Sequence, residues 1–198
     1  PLGAGAAHTG RAARHRALPV VPRAEMLAEL MRLKYSIAIA GTHGKTTTTS
    51  MVAMMLSAGG LDPTVIVGGR LHQLGSGARM GRGDYLVAEA DESDGSFLKL
   101  SPTVAVITNI DDDHLEYYGD MARLTATFSE FANKVPFYGF SVLCGDDPRL
   151  RGITAMCGRR VITYGFNAEA DVRAENVALA GDGCTYDLLL RKENLGPV

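Results

Sequence analysis

Behind Pro22, apolar residues recur at Met26, Leu27, Leu30 and Met31, the three-and-four spacing of a helix face, and Pro is pre-organised for a first helical turn. This predicts a helix from 22 to about 34. Residues 36–40 (Ser-Ile-Ala-Ile-Ala) form a short apolar run stopped by Gly41, the pattern of a buried strand. From 46 to 57 the stripe Met51, Val52, Met55, Leu56 predicts a second helix ending at Gly59-Gly60. Strand-like runs follow at 64–67, 85–90, 104–108, 141–143 and 160–164, with helix-like segments at 121–134 and 148–155. Alternating strands and helices with near-continuously apolar strands predict an α/β fold, a mostly parallel sheet with helices on both faces. After Gly165 the pattern becomes half-polar: 170–178 and 185–191, separated by Gly181-Asp182-Gly183, predict a small antiparallel hairpin. The last residues, 194–198, are turn-like and close no element. No internal repeat is present.

Composition narrows the setting. The chain has 198 residues, 46% of them hydrophobic, enough for one sizeable core. A net charge of -2 and a pI near 6.2, without a basic run, argue against nucleic acid as a partner. No apolar run is long enough for membrane insertion. Cys144, Cys157 and Cys184 are widely spaced and form no CxxC pair, which predicts reduced, buried thiols and a cytosolic protein. Residues 1–17 are rich in Ala and Gly, with Arg11, Arg14 and Arg16 and no acid. That composition fits either an organelle-targeting leader or the end of an upstream domain.

Three constellations carry chemistry. Gly41-Thr42-His43-Gly44-Lys45-Thr46-Thr47 joins a strand to a helix, where backbone N–H groups and the helix N-terminus favour a polyphosphate. Lys45 adds a full charge, and Thr46 stands where phosphate-loop proteins place a Mg²⁺ ligand. The loop is one Gly-x-x-Gly-Lys-Thr unit, shorter than the common phosphate loop because Ile39 is still in the strand. The second constellation, Glu89-Ala90-Asp91-Glu92-Ser93-Asp94, begins at a strand's carboxyl end, on the sheet edge where ligands bind. Alternation places Glu89 with Val87 on one face, where a metal ion would compensate its charge. Asp91, Glu92 and Asp94 fit a solvated loop equally well. The third, Asn109-Ile110-Asp111-Asp112-Asp113-His114, also follows a strand. Mg²⁺ prefers oxygen ligands, so spacing alone gives His114 no metal role. His43 shapes the loop, and His8, His15 and His72 carry no signal.

In this order and spacing, 41–49, 89–94 and 108–114 resemble the Mur ligase family, as do the segments 20–27 and 135–139. The resemblance runs from about 18 to 166 and implies an upstream domain for a UDP-sugar, a central ATPase and a downstream domain for the amino acid. Residues 22–198 then correspond to the central ATP-binding domain, incomplete at its C-terminal end, and 1–21 to a remnant of the upstream domain and linker. It further implies a bacterial, cytoplasmic enzyme with ATP and Mg²⁺ as cofactors. By the same resemblance Gly41 to Thr47 bind the nucleotide, Lys45 holds the β- and γ-phosphates, Thr46 and Glu89 bind one Mg²⁺, and His114 with Glu89 helps bind a second. Lys45, Glu89 and His114 are thereby the expected catalytic set. A carbamylated lysine present in several relatives is replaced here by Phe128, and Ser93 stands in the acidic motif. Both features match the branch that joins L-alanine to UDP-N-acetylmuramate. The alternatives are the branch that recycles a tripeptide onto the same sugar and a nucleotide-binding module without ligase activity.

Overall fold

Small and β-branched residues dominate the central strands, which leaves little side-chain bulk between sheet and helices and lets both faces be covered closely. The computed structural model describes residues 13, 15–68, 77–181 and 183–198. Its strands are β1 (Tyr35–Ala40), β2 (Thr64–Ile66), β3 (Ala78–Arg79), β4 (Tyr85–Glu89), β5 (Val104–Ile107), β6 (Phe140–Cys144), β7 (Val161–Gly165), β8 (Val172–Ala180), β9 (Gly183–Leu190) and β10 (Glu193–Pro197). The helices are α1 (Arg23–Arg32), α2 (Lys45–Ala58), α3 (Leu115–Tyr118), α4 (Met121–Asn133) and α5 (Pro148–Met156), with a 3₁₀ turn at Ser96–Lys99.

All the strands join one sheet in the order β10-β9-β8-β7-β6-β5-β1-β4-β2-β3. From β2 to β8 neighbours run parallel, while β3 at one edge and β9 and β10 at the other are antiparallel. Strand β1 is central. The chain leaves it toward β2 and β4 on one side and returns through β5 on the other, which makes its carboxyl end a topological switch point.

Alternation along the strands divides the core. Ala38, Ala40, Leu86, Ala88, Ala105 and Ile107 pack with α1, α4, α5 and the 3₁₀ turn, where Phe97 lies against Phe128 and Phe131. Ile39, Val87, Val104 and Val106 face the other way, toward Val52 and Leu56 of α2. Phe128 is therefore a fully buried core residue.

The expected α/β architecture is observed, and the differences are local. The terminal segment read as turn-like forms β10, because Glu193 and Asn194 pair with Leu190 and Leu189. The expected hairpin is two strands of a three-stranded meander continuous with the parallel sheet. Strand β3, the 3₁₀ turn and α3 are short elements fixed by tertiary contacts. Of the cysteines, all free, Cys144 and Cys157 are half-buried, but Cys184 is exposed on β9, so its expected burial is corrected. Most of the 1–17 segment, His8, His72 and Asp182 lie outside the described residues. Among the described residues no helix is long and apolar enough to cross a membrane.

Candidate active site at the carboxyl edge of the sheet

The loop between β1 and α2 is shaped by its glycines and tied down from β5. Gly41 has φ +128°, and a Cβ there would overlap Thr108 Oγ1 and lie 3.0 Å from the Thr108 amide. Only glycine fits that approach. Gly44, at φ 82°, turns the chain into α2 as its N-cap. The segment after β5 grips the loop: Thr42 N donates to Asn109 O at 3.1 Å, and Asp111 N donates to Thr42 Oγ1 at 2.8 Å. Asn109 brackets His43, accepting from its amide at 2.9 Å and donating to its carbonyl at 3.0 Å. Thr108 Oγ1 also donates to His43 O, at 2.6 Å. Behind this segment, Asp147 caps α5 through the amides of Arg149 and Leu150 and accepts from Ile110 N at 3.0 Å.

The amides of Thr42 and His43 are thus consumed, whereas those of Gly44, Lys45, Thr46 and Thr47 bond to no other described residue. The first amide of this region to enter the helix ladder is that of Thr48, bonded to Gly44 O at 2.9 Å. Orphan donors at a helix N-terminus, together with its dipole, suit an anion.

Thr46 and Glu89 meet. Thr46 Oγ1 donates to Glu89 Oε2 at 3.0 Å, and Gly68 N donates to the same oxygen at 3.0 Å. Glu89 shares the face of β4 that looks toward α2, as its alternation with Val87 requires. It also borders a recess of about 120 Å³ with Arg23, Ala24, Leu27, Asp91 and Leu100, so the first turn of α1 reaches this edge.

Lys45 folds back over its own loop, donating to Gly41 O at 2.7 Å and Thr42 O at 3.2 Å. Its ammonium also lies 2.8 Å from both oxygens of Glu92, with a well-aligned bond only to Oε1. Glu92 is 1% exposed, so it is not the solvated loop residue that its sequence setting equally allowed. Burial pushes its carboxyl up from the usual range, opposed by the bond and charge of Lys45. The Tyr118 hydroxyl donates to the Glu92 backbone carbonyl, and burial, reinforced by the Glu92 charge, pushes Tyr118 up to about 12.

His114 lies apart from these pairs. It starts α3 in the left-handed region at φ 56°, 3.8 Å from Asp113 and from Glu116, and its hydrogen bonds and ion pairs reach neither Thr46 nor Glu89. Among the described residues no group of three His, Cys, Asp or Glu side chains converges to hold a metal ion. His43 Nε2 approaches Asp111 Oδ2 at 3.5 Å. Sequence reasoning assigned no role to Glu92, Thr108, Asn109 or Asp111. Their position after strand ends was visible, but their partners lie in the loop and are long-range.

A profile of the Mur ligase middle domain matches residues 39–196. The chain belongs to the Mur ligase family. It is 55% identical over 184 residues to the UDP-N-acetylmuramate–L-alanine ligase of Syntrophotalea carbinolica, an alignment covering 93% of this chain and 40% of that protein. The chain thus spans about two-fifths of that relative's length. Among solved structures, the UDP-N-acetylmuramate:L-alanyl-gamma-D-glutamyl-meso-diaminopimelate ligase of Neisseria meningitides superposes with a TM-score of 0.80 at 26% identity, covering all of this chain and 64% of that one. The UDP-N-acetylmuramate-alanine ligase of Thermotoga maritima gives 0.79 at 25%, covering all of this chain and 44% of that one. These similarities agree with a Mur ligase middle domain.

Proposed function

We propose that this Mur ligase domain is the ATP-binding part, residues 22–198, of a bacterial cytoplasmic enzyme that joins L-alanine to the carboxylate of UDP-N-acetylmuramate. The observation that carries the nucleotide reading is the loop itself: four amides from Gly44 to Thr47, unbonded among the described residues, at the head of α2 beside the Lys45 ammonium. The similarity to alanine-adding ligases supports the choice of substrates, whose sites on this reading belong to other domains.

The donor set suits the cofactor. Thr46 Oγ1 and Glu89 Oε2 are hard oxygens 3.0 Å apart at the loop, matching the oxygen preference of Mg²⁺. Bound there, Mg²⁺ would offset phosphate charge, and His114 with Glu89 would serve a second ion.

In the proposed reaction the sugar carboxylate attacks the γ-phosphate, giving an acyl phosphate and ADP. The alanine amine then displaces phosphate and forms the amide. The chain's own work is positioning and electrostatics. The amides of 44–47 seat the phosphates, and Lys45 offsets charge on the transferring group. Thr108, Asn109 and Asp111 hold the loop in shape for both.

The test is ADP release by the full-length ligase carrying this chain. Steady-state release, beyond a single turnover, should require both UDP-N-acetylmuramate and L-alanine, and Lys45→Ala should lower it by orders of magnitude. Release independent of either substrate, or near-normal turnover of the variant, would refute the assignment.

A further inference from the structure

An ammonium has three N–H donors and no acceptor. Those of Lys45 are all engaged, by Gly41 O, Thr42 O and Glu92 Oε1. A phosphate oxygen at the loop can therefore take a bond from Nζ only when one of these is released. The two carbonyls are neutral and belong to the loop that the phosphate must also contact. Glu92 is the anion among the three, and phosphate replaces it like for like.

Glu92 cannot simply turn to water. Its backbone carbonyl is held by the Tyr118 hydroxyl, and Tyr118 is itself buried. Its carboxylate is buried, and Oε2 already lacks an aligned donor. Removing Lys45 from this carboxylate leaves a buried charge with weakened compensation, which is costly. That cost opposes nucleotide binding.

We propose that Glu92 is a positioning residue that competes with nucleotide phosphate for Lys45, keeping the lysine folded back onto its own loop and lowering the affinity for nucleotide. The inference rests on the reading of the loop as a nucleotide site and adds how its affinity is set. Weakened phosphate binding suits a site that has to release ADP in every cycle. A merely structural Glu92 has the opposite signature, because loosening the loop would weaken binding.

Calorimetric titration of the full-length ligase carrying this chain with ADP in Mg²⁺ buffer separates the two. Glu92→Gln keeps the size and an acceptor oxygen but removes the charge, and should bind ADP about tenfold tighter, the scale of one hydrogen bond to a charged group. Tyr118→Phe, which frees the Glu92 backbone, should tighten binding by less. With Lys45→Met as background, Glu92→Gln should change affinity little, because no lysine is left to compete for. Equal or weaker binding by a folded Glu92→Gln, or the same tightening without Lys45, overturns the proposal. Should Glu92→Gln fail to fold, unchanged or weaker binding by Tyr118→Phe overturns it. If neither wild type nor Glu92→Gln binds ADP, the nucleotide reading itself fails and the inference falls with it. Wild-type binding with no gain in the variants removes the competition alone.

Discussion

Thr46 Oγ1 lies 3.0 Å from Glu89 Oε2 although 43 residues separate them. One residue heads the helix after β1 and the other ends β4, the strand beside β1, so parallel pairing in register brings them to the same edge. If this pair holds Mg²⁺, removing one oxygen should erase the metal's contribution to nucleotide affinity. Thr46→Val is expected to reduce the Mg²⁺-dependent part of ADP binding by at least about tenfold, the loss typical even of residues that only support metal ligands. Titrations of wild type and variant with and without EDTA provide the check.

Gly41→Ala should destabilise the fold by about 3 kcal/mol, from a positive φ combined with overlap against β5. Thr108→Ala should not rescue it, since the amides of Thr108 and Asn109, 3.0 and 3.1 Å from the new Cβ, remain in place. Urea denaturation of the single and double variants measures both statements.

Asp147→Ala should cost about 2 kcal/mol, because one carboxylate caps two amides of α5 and holds the Ile110 amide. The loss should extend beyond α5. Hydrogen exchange at Ile110 should accelerate along with that at Leu150.

Glu92 and Asp94, two residues apart, should shape the pH dependence with opposite signs. Glu92 titrates higher in the folded chain than its ordinary 4.5, chiefly through burial. The folded state thus holds its proton longer, and the stability it contributes below that value is lost as pH rises through the raised one. Asp94 is held below its ordinary 3.8, chiefly by hydrogen bonding from Ser96. Its contribution is present above 3.8 and lost as pH falls below it. Urea midpoints across pH 3 to 7 should show Glu92→Gln removing the fall on the rising side and Asp94→Asn removing part of the loss in acid.

Much of this was legible in the sequence because it is local. Ile39 and Gly41 mark where β1 stops, Met51 to Leu56 mark α2, and alternation alone puts Glu89 on the face of Val87 and hence toward Thr46. What was not legible depends on partners distant in the chain. Glu92 and Asp91 stand side by side in the same acidic run, and only the fold buries one against Lys45 and leaves the other exposed. β10 has no apolar alternation of its own and is a strand because β9 offers it an edge. The left-handed turn that sets His114 beside Asp113 and Glu116 likewise leaves no mark in the local pattern.

The role of the Gly41 to Thr47 loop as the ATP site is tested most directly by calorimetric titration of the full-length ligase carrying this chain with Mg²⁺ and ATP. The control is the Lys45→Met/Glu92→Gln variant, which removes both charges together and so leaves no unpaired carboxylate in the core. Wild type should bind one nucleotide per chain, and the double variant should bind about tenfold to a hundredfold more weakly, as expected for losing the charged donor. No saturable binding by the wild type, or equal binding by the two proteins, would contradict it.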